Sequence, residues 1–237
     1  MYDSIGEVKT ALSNWRGERI TTVSPAEWHI IFKLPFEVEY LRESLSYRFV
    51  ELTEAAISLV ESSNFLGAVV VARSAQETLS VLYYINELIQ KSIGQGEVSS
   101  LCDKSYRLMF GKGKKEVPFP DKISVITMIQ KVDKIIPGFE KHYDALSEYS
   151  HPNWSGTMGI FAKTGEKERK VDFQRYIRGE DTIKVHLTIS ITTNASLFEY
   201  TRDEYEKFAP DLLNLCSELS ESGELLPQIS HHQDESE

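Results

Sequence analysis

The stretch FLGAVVVARSAQETLSVLYYINELIQK, residues 65–91, decides how the chain is read. Phe65, Ala68, Ala72, Ala75, Leu79 and Leu82 recur at steps of three or four, the period of one helix face. The sequence before it, Phe36 to Glu61, carries Val38, Leu41, Leu45, Leu52, Ala56 and Leu59 at the same steps or their multiples. Ser62, Ser63 and Asn64 separate the two, and Asn64 is a ready N-cap. Two long helices joined by so short a break pack antiparallel. Gly94, Gln95 and Gly96 end the second helix, and a short helix follows at 98–110. Val125, Met128, Ile129, Val132 and Ile135 give a third stripe, stopped by Pro137-Gly138. A fourth helix runs from Phe139 to about Ser150, with Phe139, Tyr143, Leu146 and Tyr149 inward, and Pro152 ends it.

The flanks are less regular. Residues 1–35 read as an irregular N-terminal lead-in with room for one short helix; Trp15, Trp28 and Phe32 are available to pack, and Pro25 and Pro35 interrupt it. Residues 156–181 are polar, charged and short of large apolar side chains, and read as a long loop or a small hairpin around Thr164-Gly165. Residues 182–208 carry two signals. Ile183, Val185, Leu187, Ile189 and Ile191 alternate as in a strand, while NASLFEYTRDEYEKF is helix-like. A last helix restarts at Pro210. The fold expectation is all-α: an antiparallel helical bundle domain at 36–222 and an acidic disordered tail at 223–237.

Composition narrows the function classes. Lys and Arg number 26 against 36 acids, a net charge of −10, which argues against a surface that coats duplex DNA or anionic membrane. The longest apolar run, Leu66 to Ala72, is far short of the roughly 20 residues a bilayer span needs. Two cysteines, Cys102 and Cys216, do not make a disulfide framework or a zinc site, and a reducing, cytoplasmic setting is expected. No membrane association, metal or cofactor is expected.

The phrase LSEYSHPNW, residues 146–154, holds the first candidate chemistry. Ser147 and His151 stand four apart and Glu148 and His151 three apart, spacings that share a helix face. His151 falls at the last turn, where helix carbonyls favour positive charge. A histidine so placed serves as general acid or base, or simply caps the helix by bonding Ser147 or a carbonyl. The phrase ARSAQETL, residues 72–79, holds the second: Arg73 and Glu77, four apart, with the Arg73 stem over apolar surface. A half-buried guanidinium needs an anion, either Glu77, Glu148 or a ligand phosphate. A structural ion pair between helices satisfies the same spacing.

Together, Arg-Ser-x-x-Glu-x-Leu at 73–79 and Leu-Ser-x-x-x-His-Pro at 146–152 resemble the HEPN-like superfamily, more narrowly an uncharacterised prokaryotic branch of it. The resemblance spans roughly 36–208 and implies a helical bundle, with helix rather than strand at 182–208. It also implies an RNA-binding or protein-binding domain in a toxin–antitoxin or phage-defence setting, and a homodimer. Many members are metal-independent ribonucleases whose motif sets an Arg four to six residues before the catalytic His. Around that offset this chain has Asp144, Ala145, Leu146 and Ser147, so only His151 matches by type. The departure favours a non-enzymatic binding domain. The alternative is a ribonuclease with His151 as acid/base and Arg73 steadying the phosphate, among Ser147, Glu148 and Glu77.

Two basic stretches suit a nucleic-acid backbone. Residues 104–115 hold Lys104, Arg107, Lys112, Lys114 and Lys115 with no acid. Residues 163–178 hold six basic residues, Arg169 and Lys170 among them, against three acids, with Phe173 and Tyr176 interleaved for base stacking. Solvated loops have the same composition.

Overall fold

The structure, a computed structural model, describes residues 2–24, 33–112, 119–165 and 170–223. Among the described residues the chain is all-α apart from one small hairpin. In order it forms α1 (Ile5–Gly17), α2 (Lys33–Glu61), α3 (Phe65–Gln95), α4 (Ser99–Phe110), α5 (Val125–Asp133) and α6 (Phe139–Ser150), then α7 (Met158–Phe161), β1 (Ala162–Thr164), β2 (Val171–Phe173) and α8 (Glu180–Glu221).

Two compact units emerge, and α2, α3 and α8 contribute a part to each. The first contains, of the described residues, 2–19, 44–84, 124–165 and 170–203. Its core joins Val8, Leu12 and Trp15 of α1 to Phe49 and Ile57, Val69, Ala72 and Leu79, Ile129 and Val132, Leu146, and Ile183, Leu187 and Phe198. The lead-in is therefore regular over 5–17. Ser4 caps α1 by accepting from the Glu7 N–H, and Trp15 lies edge-on to Phe198 at 4.9 Å. Trp28 and Phe32 lie outside the described residues.

The second unit draws its described residues from 20–24, 33–43, 85–112, 119–123 and 204–223; the tail read as acidic and disordered lies, from 224 on, outside the described residues. Val38, Ile85, Ile89, Leu101 and Leu212 are buried there. A buried guanidinium crosses this core: Arg42 sits 3.7 Å over the Tyr205 ring and bonds Asn86, while Tyr205 donates to Glu39. Desolvation lowers the Arg42 pKa to about 10, against the opposing pull of Tyr205 and Glu39.

Two sequence signals lose to packing. The alternation at 183–191 does not make a strand. Ile183, Leu187 and Ile191, spaced by four, are buried, whereas Val185 is exposed on the other side of α8. Pro210 does not restart a helix either, because α8 runs through it for 42 residues. Only one N–H is lost there, and Phe208 and Leu212 on either side remain buried. α2 likewise begins at Lys33 with Pro35 inside its first turn, where the missing N–H has no intrahelical acceptor to serve.

The segment 156–181 resolves as the hairpin. β1 and β2 pair antiparallel, Ala162 opposite Phe173 and Thr164 opposite Val171. Tyr176, at φ +51°, turns inward, accepting from the Leu66 N–H at 3.0 Å and packing on Phe65 and Phe161. Among the described residues α3 is the one helix long and apolar enough by composition to cross a membrane, and 56% of its most apolar window is buried.

Candidate functional site

The first unit brings Arg73 and Glu77 of α3 against α6. Asn64 caps α3 as its position predicts, its Oδ1 accepting from the Gly67 N–H at 3.2 Å. At the start of α6, Asp133 Oδ1 accepts from the N–H groups of Gly138 and Glu140, both at 3.0 Å. Gly138 itself adopts φ +94°, a turn that a side chain would strain. So anchored, α6 turns Tyr143 and Ser147, four apart, toward α3.

Arg73 Nε donates to Ser147 Oγ at 2.9 Å, and Arg73 Nη2 donates to Tyr143 OH at 2.8 Å. Tyr143 OH in turn donates to Glu77 Oε1 at 2.8 Å, and the Arg73–Glu77 ion pair closes the ring at 3.1 Å. Ser147 Oγ donates onward to the Tyr143 carbonyl at 2.9 Å. Tyr143 is 3% exposed, and desolvation, then the hydrogen bond to Glu77, raise its pKa, while Arg73 lowers it. The guanidinium thus has its anion within α3 and its hydroxyl partners on α6. A phosphate would compete with Glu77 for it.

His151 and Glu148 stand outside this ring. His151 is the C-cap of α6, with extended backbone (φ −86°, ψ 148°), so it has left the helix face that Ser147 occupies. Its own N–H donates to the Ser147 carbonyl at 3.1 Å, and its side chain is exposed. No hydrogen bond or ion pair links it to Arg73. Glu148, in the last turn of α6, accepts from Asn153 Nδ2 at 2.7 Å and so ties the helix end to the turn that follows it. That turn is tight: a Cβ on Gly156 would stand 2.0 Å from the His151 carbonyl oxygen. Asn153 Oδ1 accepts from the Gly156 N–H at 3.0 Å.

Beyond the turn the surface is aromatic and basic. Trp154 is 61% exposed and Phe173 on β2 is 77% exposed. Met158, Lys163, Lys170 and Arg178 are exposed in the same segment. Tyr176, read from the sequence as a stacking residue, is instead the inward anchor described above. Lys112, from the other basic stretch, places its ammonium 3.8 Å over the Phe119 ring. Lys114, Lys115 and Arg169 lie outside the described residues.

Sequence reasoning missed three features. Tyr143 was expected as plain core, although a buried tyrosine with a serine four residues on signals a hydroxyl network. Gln76 of α3 reaches α6, its Nε2 donating to the Phe139 carbonyl at 3.0 Å, and Ser190 and Asn194 of α8 continue that buried row. His142 of α6 and His186 of α8 meet, Nδ1 to Nδ1, at 3.4 Å. No spacing rule links residues 44 apart. Among the described residues no group of three or more His, Cys, Asp or Glu converges on a metal position. Comparison with family models, with curated proteins and with solved structures finds no match in any of the three.

Proposed function

We propose that the chain is a HEPN-like helical domain that binds single-stranded RNA through residues 151–178. The observation that carries the reading is the presence, in one segment, of exposed Trp154 and Phe173 with exposed Lys163, Lys170 and Arg178, against exposed Asp172 opposite Lys163 in the hairpin, in a protein whose net charge is −10. Aromatic faces stack on unpaired bases and local cations neutralise phosphates, so a short basic segment suffices where the overall charge repels duplex DNA. The engagement of Arg73 by Glu77, Tyr143 and Ser147 supports binding over cleavage. Two free thiols, Cys102 and Cys216, raised by burial to about 11 and about 12, suit a reducing cytoplasmic setting.

The experiment is a mobility shift with a short unstructured RNA at low salt. Binding that weakens with salt, and that Trp154→Ala and Phe173→Ala each reduce by about 5- to 100-fold without changing thermal stability, is the expected result. No binding, or binding indifferent to both substitutions, refutes it and leaves a protein partner as the occupant of this surface. Ribonuclease activity is the second reading, favoured by the exposed, unengaged ring of His151. RNA cut in the presence of chelator, with cutting abolished by His151→Ala, would establish it.

A further inference from the structure

Two imidazoles outside the Arg73 ring meet where α6 and α8 pack within the first unit. His142 Nδ1 and His186 Nδ1 lie 3.4 Å apart, with ring centroids separated by 5.6 Å and planes inclined at 64°. Burial lowers the proton affinity of both rings; His186 and Lys141 lower His142 further, and Lys141 lowers His186. Both are therefore neutral near pH 7, the form that ligates metals.

Two neutral imidazoles facing each other have two stable arrangements. One ring donates an N–H to the other, or both turn lone pairs toward one cation. In a tetrahedral site with metal–nitrogen bonds of about 2.0–2.1 Å, neighbouring nitrogens stand about 3.3–3.4 Å apart. The observed separation equals that edge. His142 also lines a pocket of about 130 Å³ with Gln76, Ser190, Thr193 and Asn194. Asn194 Oδ1 is buried there without a hydrogen-bond partner. A cavity with room for water and one unpaired amide oxygen, that of Asn194, therefore adjoin one of the two rings.

We propose that His142 and His186 form a two-imidazole site for a borderline divalent cation of the Zn²⁺ class, with water completing its shell. Two nitrogen donors select Zn²⁺ over the hard cations Mg²⁺ and Ca²⁺, which take oxygen ligands. No carboxylate joins the pair among the described residues, and Lys141 opposes a second positive charge, so affinity is moderate. Bound metal clips α6 to α8 and stabilises the folded chain by mass action. The site is independent of the RNA surface.

Calorimetric titration of Zn²⁺ into the full chain carrying His231→Gln and His232→Gln, which removes the competing pair in the tail, is the test. One equivalent binds, and His142→Gln or His186→Gln weakens binding by at least about tenfold while His151→Gln leaves it unchanged. Mg²⁺ gives no heat of binding. Should either substitution unfold the chain, imidazole NMR resonances of the chain with both rings intact give the answer, since Zn²⁺ must shift those of His142 and His186. Absence of Zn²⁺ binding, or binding that survives both substitutions, overturns the proposal and leaves the pair as a hydrogen bond between two neutral rings.

Discussion

Replacing Arg73 by Met separates a helix tie from a ligand-binding cation, because Met keeps most of the apolar stem and removes the charge. Arg73 gives up a 2.9 Å bond to Ser147, a 2.8 Å bond to Tyr143 and a 3.1 Å ion pair to Glu77. Hydrogen bonds from a charged donor contribute about 1.5–3 kcal/mol each when their loss strands a buried partner. Here neither partner is stranded. Ser147 keeps the Tyr143 carbonyl and Tyr143 keeps Glu77, at 2.9 and 2.8 Å. The side chains of Arg73 and Glu77 are also 31% and 30% exposed, so Glu77 is rehydrated when the pair is lost and the ion pair adds little. The net loss is about 2 kcal/mol, or about 4–8 °C of melting temperature for a chain of this size. Thermal unfolding followed by circular dichroism reads the first quantity, and the RNA mobility shift reads the second, which stays within about twofold. An unchanged melting temperature together with RNA affinity lost by about tenfold would refute the argument, since the guanidinium would then serve a ligand rather than α6.

Two further outcomes follow from the same unit. Both His142 and His186 titrate below the ordinary value of 6.5 in the folded state, so the unfolded chain takes up protons first on acidification. Stability is full above about pH 7 and falls as pH drops through 6.5 toward the folded-state values, levelling once both rings are charged; urea unfolding at stepped pH shows this, and the double substitution to Gln flattens the slope. Gly156→Ala drives a methyl to 2.0 Å from the His151 carbonyl oxygen, which only backbone movement relieves. It lowers stability by about 1–3 kcal/mol and, by moving the turn that carries Trp154, weakens RNA binding as well; unchanged melting and binding would show that the turn yields freely.

Much of the fold was legible because helix periodicity is local. The stripes of α2, α3 and α6 state their own buried faces, as does that of α5 through Met128, Ile129 and Val132, whereas Ile135 of the same stripe lies past the helix end and is 47% exposed; Asn64 states where α3 begins. The strand-like alternation at 183–191 misled for a physical reason: residues four apart satisfy periods of 2 and 3.6 alike, and only neighbours decide that Ile183 and Leu187 face in while Val185 faces out. Pro210 misled because a proline costs one hydrogen bond locally but cannot outweigh the burial of Phe208 and Leu212 around it. At the site, the Arg73–Glu77 pair was readable as an i,i+4 spacing and Ser147 as its neighbour. Tyr143 hid in the apolar pattern, since its ring obeys the core stripe while its hydroxyl does not. His142 and His186 were unreadable, because their meeting depends on how α6 packs on α8. His151 misled by one residue: Pro152 releases the backbone just before the helix face would have included it.

The contrast between the indoles has a practical consequence. Trp15 is 3% exposed in the core, whereas Trp154 is 61% exposed on the proposed RNA surface. Iodide, which does not enter protein interiors, quenches the emission of an indole like Trp154 and spares one like Trp15. With Trp28 replaced by Phe, the quenched fraction of intrinsic fluorescence reports whether a ligand covers the 151–178 segment, and the protected fraction reports whether α1 still docks. Occupancy and integrity are then read in a single cuvette, without a dye attached to either molecule.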